Sequence, residues 1–547
     1  MKKTATALTI LAIGGALMLT GCGRSTPPTD NSSTSSTSTS TSSAPTSSTS
    51  TGGGAAANLI VGTTDKAVTI DPAGSYDHGS LQIEVQVYQF LYSFVPGSNV
   101  PTPDAAESCS FTQPTVFECK LKPNLKFANG DPLTSASVKF SFDRVLKIND
   151  ANGPASLLGN LDSISTPDAT TVDFTLKQPN DQTFMQVMAT SAGPIVDEKV
   201  MSADALTPDA DIVKANAFSG PYVITSYQFN DTVVFAPNPN YQGNMPAAKN
   251  AGVTLKTFTD ATNLRLAISN GDIDVAYRSL TPTDLKTLAG DSNVKVIKAK
   301  GGEIRYIVFN FKTMPGDTDA QKLAVRQAVA SSVDRDAVST NVYQGNYTPL
   351  CSYVPDGYVG ASKAVCDAYP LDKDKAAKYL SDAGVATPVT LNMQYNPDHY
   401  GSSSDQEYGL IKQQLEATGL FKVNLQSTEW VTYSKERTKD AYPVFQMGWF
   451  PDFPDADNYL SPFFLPNNFL ANHYENPAVT TAIQAEVGNT DPTSRAKGIG
   501  DVQGLLAKDL PTLPLLQGSQ VAVTRTNVAG ADLGVSEQLF FAPLSKS

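Results

Sequence analysis

The sequence predicts an α/β fold shared between at least two lobes, and three observations carry that expectation. Strand-like and helix-like runs alternate along nearly all of residues 58–547. That body, about 490 residues, is longer than one ordinary hydrophobic core organises. Hydrophobic residues make up 41% of the chain, and after the leader no apolar run is long enough to cross a bilayer, which is the composition of a globular body.

The elements follow in order. Residues 1–22 read as an export leader: Lys2-Lys3 is the basic end, residues 8–19 are a short apolar run, and Leu19-Thr20-Gly21-Cys22 looks like a bacterial lipobox in which Cys22 becomes the lipidated N-terminus. Several acyl chains on one terminus anchor a protein without spanning the bilayer. The expected location is therefore the outer face of a bacterial cell membrane. Residues 23–57 are mostly Ser and Thr with almost no apolar surface to bury, so they are expected to form a disordered tether.

Strands are expected at 59–61 and 67–70 and a helix at 81–94, where Leu81, Val85, Tyr88, Leu91 and Tyr92 recur at helical spacing; the loop 71–77 lies between them. Alternation on either side of Gln113-Pro114 predicts a hairpin that sets Cys109 opposite Cys119. With Cys351 and Cys366, four cysteines remain after Cys22, and they allow three pairings. The two local disulfides fit an oxidising exterior, while paired thiols holding a metal are the alternative. Asn129-Gly130-Asp131-Pro132 marks a turn, and Thr134 is placed to cap a helix carrying Val138, Phe142 and Val145. Asp260, Thr281 and Asp334 are placed to cap three more helices, the second strengthened by Pro282 and Asp284. Strands are expected at 172–176, 219–224, 233–235, 273–276, 305–310, 389–395 and 423–425, and helices at 184–189, 321–332, 371–383 and 404–418. The strand-rich end, 513–516 and 521–523, is expected to return to the first lobe.

The most unusual stretch is residues 449–459, where Trp449, Phe450, Phe453 and Tyr459 stand among Pro451, Pro454 and the carboxylates Asp452, Asp455 and Asp457. It leaves the end of a strand-like run, Val444-Phe445-Gln446-Met447, and its prolines lower the entropy lost on ordering. Such a loop can hold a cation or wall a pocket.

The composition also excludes function classes. Net charge is −13, and it becomes two units more negative once Lys2 and Lys3 leave with the leader. No dense Lys/Arg cluster offers phosphate contacts, so nucleic acid is not an expected partner. Gly-x-Ser-x-Gly, His-Glu-x-x-His and phosphate-loop motifs are absent. The three histidines, His78, His399 and His473, are too far apart to make a metal motif. Neither catalytic residues, nor a cofactor, nor a metal site is expected; a secreted hydrolase is the alternative from another class.

Several blocks together resemble the bacterial extracellular solute-binding proteins of the dipeptide, oligopeptide and nickel group, the receptor subunits of ABC importers. They are Phe127-Ala128-Asn129-Gly130-Asp131-Pro132-Leu133-Thr134, Ser219-Gly220-Pro221-Tyr222, Asn238-Pro239-Asn240-Tyr241, Asn270-Gly271-Asp272-Ile273-Asp274, Val325-Arg326-Gln327-Ala328 leading to Asp334-Arg335, and residues 449–458. The resemblance implies a two-lobed, type II periplasmic-binding-protein clamshell. Lobe I would comprise 58–93, 212–310 and 512–547, with an extra subdomain at 94–211, and lobe II would comprise 311–511. It implies a monomeric receptor that encloses short peptides by hinge closure and delivers them to a membrane permease. It places Asp452 as the anchor for the ligand's α-ammonium group and Trp449 as the wall beside it, with Phe450, Tyr395 and Tyr76 as further candidate contacts. Asp455 and Asp457 are expected to serve the turn. Oligosaccharide is the rival ligand, since the same rings stack on sugars, and no motif identifies a partner for a ligand carboxylate.

Overall fold

Helices begin where side-chain oxygens meet the otherwise orphaned first-turn N–H groups. In the computed structural model, Thr134, Asp260, Thr281 and Asp334 cap the helices Ser135–Ile148, Ala261–Asn270, Pro282–Leu288 and Arg335–Asn341. The structure describes residues 57–533 and 538–547. The leader with Cys22, and the tether apart from Ala57, lie outside the described residues.

Two expected elements differ. Residues 67–70 are not a strand, because side chains replace the ladder partner: Ala67 N donates to Asn230 Oδ1 (2.8 Å), Val68 N to Ser80 Oγ (2.9 Å) and Ile70 N to Asp209 Oδ1 (3.1 Å). The helix expected at 81–94 is His78–Val87, capped by Asp77. It stops because Ser219 N and Gly220 N take the Val87 carbonyl at 3.0 and 2.7 Å. A Cβ on Gly220 would lie 2.5 Å from the Val87 carbonyl carbon, so only glycine lets this chain approach so closely.

An eleven-stranded mixed sheet runs through the body. In order its strands are Phe421–Ser427, Val389–Tyr395, Val444–Trp449, Val294–Phe309, Thr512–Arg525, Val275–Tyr277, Asn58–Thr63, Gly252–Thr257, Thr232–Pro237 and Tyr222–Gln228, with Tyr347–Pro349 added beside Thr512–Arg525. The antiparallel pair Val294–Phe309 and Thr512–Arg525 is long enough to pass from one hydrophobic core to another. Ile304, Ile307 and Phe309, with Leu513 and Leu516, lie in a core shared with Leu391, Val423 and Phe445. Further along the same pair, Ala522 belongs to a core built on Leu59, Val61, Phe235 and Val253. The register shifts between Lys300 and Ile304, where Gly301 and Gly302 interrupt the pairing.

A smaller antiparallel sheet, in the order Ala106–Gln113, Val116–Leu121, Thr171–Leu176 and Leu161–Asp168, carries the helix Ser135–Ile148 on one face. Phe142 meets Phe174 there with ring centroids 5.2 Å apart. The expected hairpin sets Cys109 opposite Cys119, and the two are joined. Cys351 is joined to Cys366. The chain's end closes the first core: Leu539, Phe541 and Leu544 pack into it, and Gln82 Nε2 donates to Leu539 O (2.7 Å) while Phe541 N donates to Gln86 Oε1 (3.0 Å). Among the described residues, no helix is long and apolar enough to cross a membrane.

Candidate functional site

The loop after Trp449 is fixed by its own polar residues. Asn458 Oδ1 accepts from Trp449 Nε1 (2.8 Å) and from Asp452 N (3.0 Å), and Asn458 Nδ2 donates to Asp452 Oδ2 (3.1 Å). Asp455 caps the short turn Ala456–Tyr459. It also pairs with Arg495 at 2.7 and 2.8 Å and accepts from Gln186 Nε2 at 3.0 Å. The turn role expected of Asp455 is thus joined by an ion pair that the sequence did not disclose. Asp457 accepts from Ser461 Oγ. Phe453 packs into the first core whereas Ala456 and Tyr459 pack into the second, so this one loop ties the two together.

Asp452 sits at the crossing point. Its Oδ1 accepts from the Tyr76 hydroxyl, which arrives on the loop 71–77. Burial pushes the Asp452 carboxyl above its usual range, and the hydrogen bonds from Tyr76 and Asn458 oppose that push. Burial and the neighbouring Asp452 charge raise the Tyr76 hydroxyl, which keeps it a donor. A carboxylate offers about four lone-pair positions, so two remain for an incoming cation.

The loop carrying Tyr76 is itself anchored by a buried pair. Arg144 Nη1 and Nη2 reach Asp71 Oδ1 and Oδ2, both at 2.6 Å, and Thr207 N donates to Asp71 Oδ2 at 2.6 Å. The two side chains are 0% and 2% exposed.

Beside the loop lies a cavity of about 400 Å³. Arg278 and Leu280 line one side, His399 and Tyr400 line another, and Glu303 and Arg305 enter from the crossing strand Val294–Phe309. Phe450 is the loop's contribution. Its ring lies 5.5 Å from His78, 6.2 Å from His399, and 5.8 Å from each guanidinium carbon of Arg278 and Arg305. His399 stacks on Trp430 at 3.8 Å, and burial together with Arg305 brings its pKa down to about 4, so the ring is neutral at physiological pH.

The structure therefore brings Tyr76, Trp449, Phe450 and Asp452 together but not Tyr395. The Tyr395 hydroxyl donates to Asp405 at 2.5 Å, its ring stacks on Tyr408, and it borders a separate hollow with Gln394 and Tyr442. Trp449 meets Phe463 and Phe469 edge-on at 5.0 and 5.6 Å, so its ring supports the loop from behind. Sequence reading missed Arg278, Glu303, Arg305 and His399. A charged residue opening an apolar strand run, as Arg305 does before Tyr306-Ile307-Val308-Phe309, was the available signal.

Comparison with known proteins adds to this geometry. A profile of the bacterial extracellular solute-binding proteins, family 5 middle region, matches residues 100–470. The probable D,D-dipeptide-binding periplasmic protein DdpA of Escherichia coli is 27% identical over 488 residues, covering 86% of this chain and 90% of that protein. Among solved structures, HbpA2 from Haemophilus parasuis superposes with a TM-score of 0.78 at 20% identity, over 90% of this chain and 100% of its own. A dipeptide-binding protein from Pseudoalteromonas sp. SM9913, in complex with Met-Leu, does so at 0.72 and 21%, with the same coverage. The fold is thus the two-lobed, type II binding-protein clamshell.

Proposed function

We propose, from the premise that this chain belongs to the family 5 bacterial extracellular solute-binding proteins, that it captures short peptides at the loop 449–459 and hands them to an ABC permease. It is a binding protein and not an enzyme, as its relatives are. Lobe I is assigned to 58–93, 212–310 and 512–547, its added subdomain to 94–211, and lobe II to 311–511, with the strand ends 304–309 and 513–516 packing into the second core across those bounds. Two cores joined by the crossing strands support hinge closure around a ligand. Lipidation of Cys22 and the Ser/Thr tether would keep the receptor at the outer face of the cell membrane within reach of its permease.

One observation carries the ligand class: the Asp452 carboxylate, gripped by Tyr76 from one side and Asn458 from the other, in a loop that joins both cores beside a cavity of about 400 Å³. An enclosed carboxylate meeting an ammonium group makes a charge-assisted hydrogen bond. Leaving that charge without a partner in a closed cleft is costly, which disfavours ligands lacking the amine, neutral sugars included. The names of the relatives, one for D,D-dipeptides and one solved with Met-Leu, agree with short peptides.

Calorimetry with free and N-acetylated dipeptides tests the reading. The free-amine form is expected to bind at least about tenfold more tightly, and Asp452→Asn to remove most of that preference, each step of tenfold being about 1.4 kcal/mol. Equal binding of both forms by the wild-type protein would sink it.

A further inference from the structure

Asp452 has lone-pair positions to spare, whereas Asp455, on the same loop, has none. Asp455 Oδ1 accepts from Arg495 Nη2 (2.7 Å) and Asp457 N (2.8 Å), and its Oδ2 accepts from Arg495 Nη1 (2.8 Å) and Gln186 Nε2 (3.0 Å). Those bonds fill the roughly four positions a carboxylate offers. The side chain is 7% exposed, and neither it nor Arg495 nor Gln186 lines the cavity beside Phe450. A carboxylate so placed is closed to ligand and serves the loop itself.

Its donors come from both sides of the cleft. Arg495 stands on the helix Pro492–Asp509, which packs into the second core through Ile499, Val502 and Leu506. Gln186 stands on the short helix Phe184–Val187, within the stretch 94–211. That helix is fixed in place: the Phe184 ring meets Phe117 and Phe174 at 5.7 and 5.5 Å, and Asp181 accepts from Thr183 N (2.9 Å) and Asn160 Nδ2 (2.7 Å). A second bond crosses at the same place, from Gln182 N to Val487 O at 3.1 Å. Val487 ends the helix Pro477–Val487, which carries Glu486, the other partner of Arg495. The Gln186 amide points its donor at Asp455 although this leaves its Oε1 buried with no hydrogen-bond partner. An amide oxygen left so is costly, and the bond to an ionised acceptor offsets it.

We propose that Gln186 and Asp455, backed by Arg495, form a latch outside the cleft that holds the lobes together and slows release of the bound ligand. This rests on the reading of the loop 449–459 as the ligand loop moved by hinge closure, and it gives the added subdomain a part in binding without contact to the ligand. Parting the lobes takes the fourth donor from Asp455, breaks the bond between Gln182 and Val487, and draws Phe453 out of the first core. Each of these contacts exists in the closed form and is lost in the open one, so together they shift the equilibrium towards closure. Arg495 and Gln186 are positioning residues. They hold Asp455, which caps the turn Ala456–Tyr459, and Asn458 of that turn grips Asp452.

The latch contains no ligand atom, so it acts on the ligand-free protein as well. It also changes kinetics in a direction that a contact with the ligand would not require. A bond formed after capture leaves the encounter untouched and lengthens the stay, so its loss falls on the release rate.

The test is stopped-flow tryptophan fluorescence on the purified full chain, with Trp449 in the loop as reporter and free and N-acetylated Ala-Ala dipeptides as probes. Gln186→Met keeps the length of the side chain without the donor, and Gln186→Glu sets a second carboxylate against Asp455. Gln186→Met is expected to speed release of the free dipeptide about tenfold and Gln186→Glu more, with association rates within about twofold of wild type. The ratio of free to acetylated affinity is expected to stay as in wild type, because Asp452 is untouched. Thermal melts identify a variant that does not fold, and the two substitutions serve as checks on each other. Release rates within about twofold of wild type in both variants would overturn the latch, as would slower association with release unchanged. Equal binding of free and acetylated dipeptide by the wild type would remove the Asp452 anchor and leave the latch standing. Failure of the wild type to bind either dipeptide would sink the peptide reading, and small-angle X-ray scattering of the ligand-free protein then decides the latch: a larger radius of gyration in Gln186→Glu supports it, and an unchanged one overturns it.

Discussion

Asp71 and Arg144 show how far from the cleft its geometry is decided. The pair is buried and doubly hydrogen-bonded, and it fixes the loop that delivers Tyr76 to Asp452. Removing one partner of such a pair leaves a charge in a dry site, which costs about 3–5 kcal/mol. Arg144→Ala is expected to lower unfolding free energy by that amount in urea, and Arg144→Met by less, because part of the packing remains. Single residues divide sharply in how readable they were. Asp452 and Trp449 drew attention by local composition, since three carboxylates among aromatic rings and prolines are visible in a line of text. Arg305 has a meaning that depends on Glu303, Tyr347 and Tyr400, and Tyr400 meets it only through folding. Tyr395 was a candidate of the right chemistry whose hydroxyl and ring are taken by Asp405 and Tyr408 instead.

At the scale of elements, the interruption at Gly301-Gly302 is the feature on which the loop depends. A Cβ on Gly302 would lie 2.4 Å from both Pro451 Cγ and the Tyr358 hydroxyl, and 2.8 Å from the Tyr459 hydroxyl. The Tyr459 hydroxyl also donates to Gly302 O at 2.7 Å. Gly302→Ala must therefore push the loop off the strand. Overpacking of this sort costs about 1–3 kcal/mol, and the expected result is a modest drop in melting temperature with a larger loss of dipeptide affinity, read by calorimetry. A drop in stability with affinity preserved would contradict it. Elements with local signals were legible: the four capped helices start at their Thr or Asp residues because a cap is a contact between near neighbours in sequence. The sixteen-residue strand Val294–Phe309 was recognised only over its buried end, 305–310. Its first half alternates Lys with small and β-branched residues and is partly exposed, so its partner, not its composition, makes it a strand.

At the scale of the whole molecule, the tie between the cores contains a titrating pair. Glu486 and Asp457 lie behind the loop with Arg495 and Asp455, and burial, followed by their mutual repulsion, pushes the Glu486 carboxyl up; burial does the same to Asp457. The folded protein therefore binds a proton here that the unfolded chain releases at ordinary carboxylate pKa. Such a contribution is complete below the unfolded pKa, about 4.5 for Glu, and is lost as pH rises through the higher folded value. Between about pH 5 and 8 this pair makes stability fall with rising pH. Glu486→Gln, which keeps the shape and a donor, is expected to flatten that slope in pH-dependent melts. A slope unchanged by the substitution would show that other groups set it. The two-lobed plan was legible from alternation and length, whereas the tie between lobes was not, since Gln186, Asp455, Glu486 and Arg495 are scattered in sequence and none belongs to a motif.

The return of the chain's end to its beginning also sets an order in time. The second core draws on residues 304–516 alone, an unbroken stretch. The first core draws on Leu59 and Val61 but also on Leu539, Phe541 and Leu544. A chain made from its N-terminus thus holds Leu59 and Val61 in waiting until residues 539–544 arrive. The core built from 304–516 can close before residues 539–544 exist, and the core built on Leu59 and Val61 cannot.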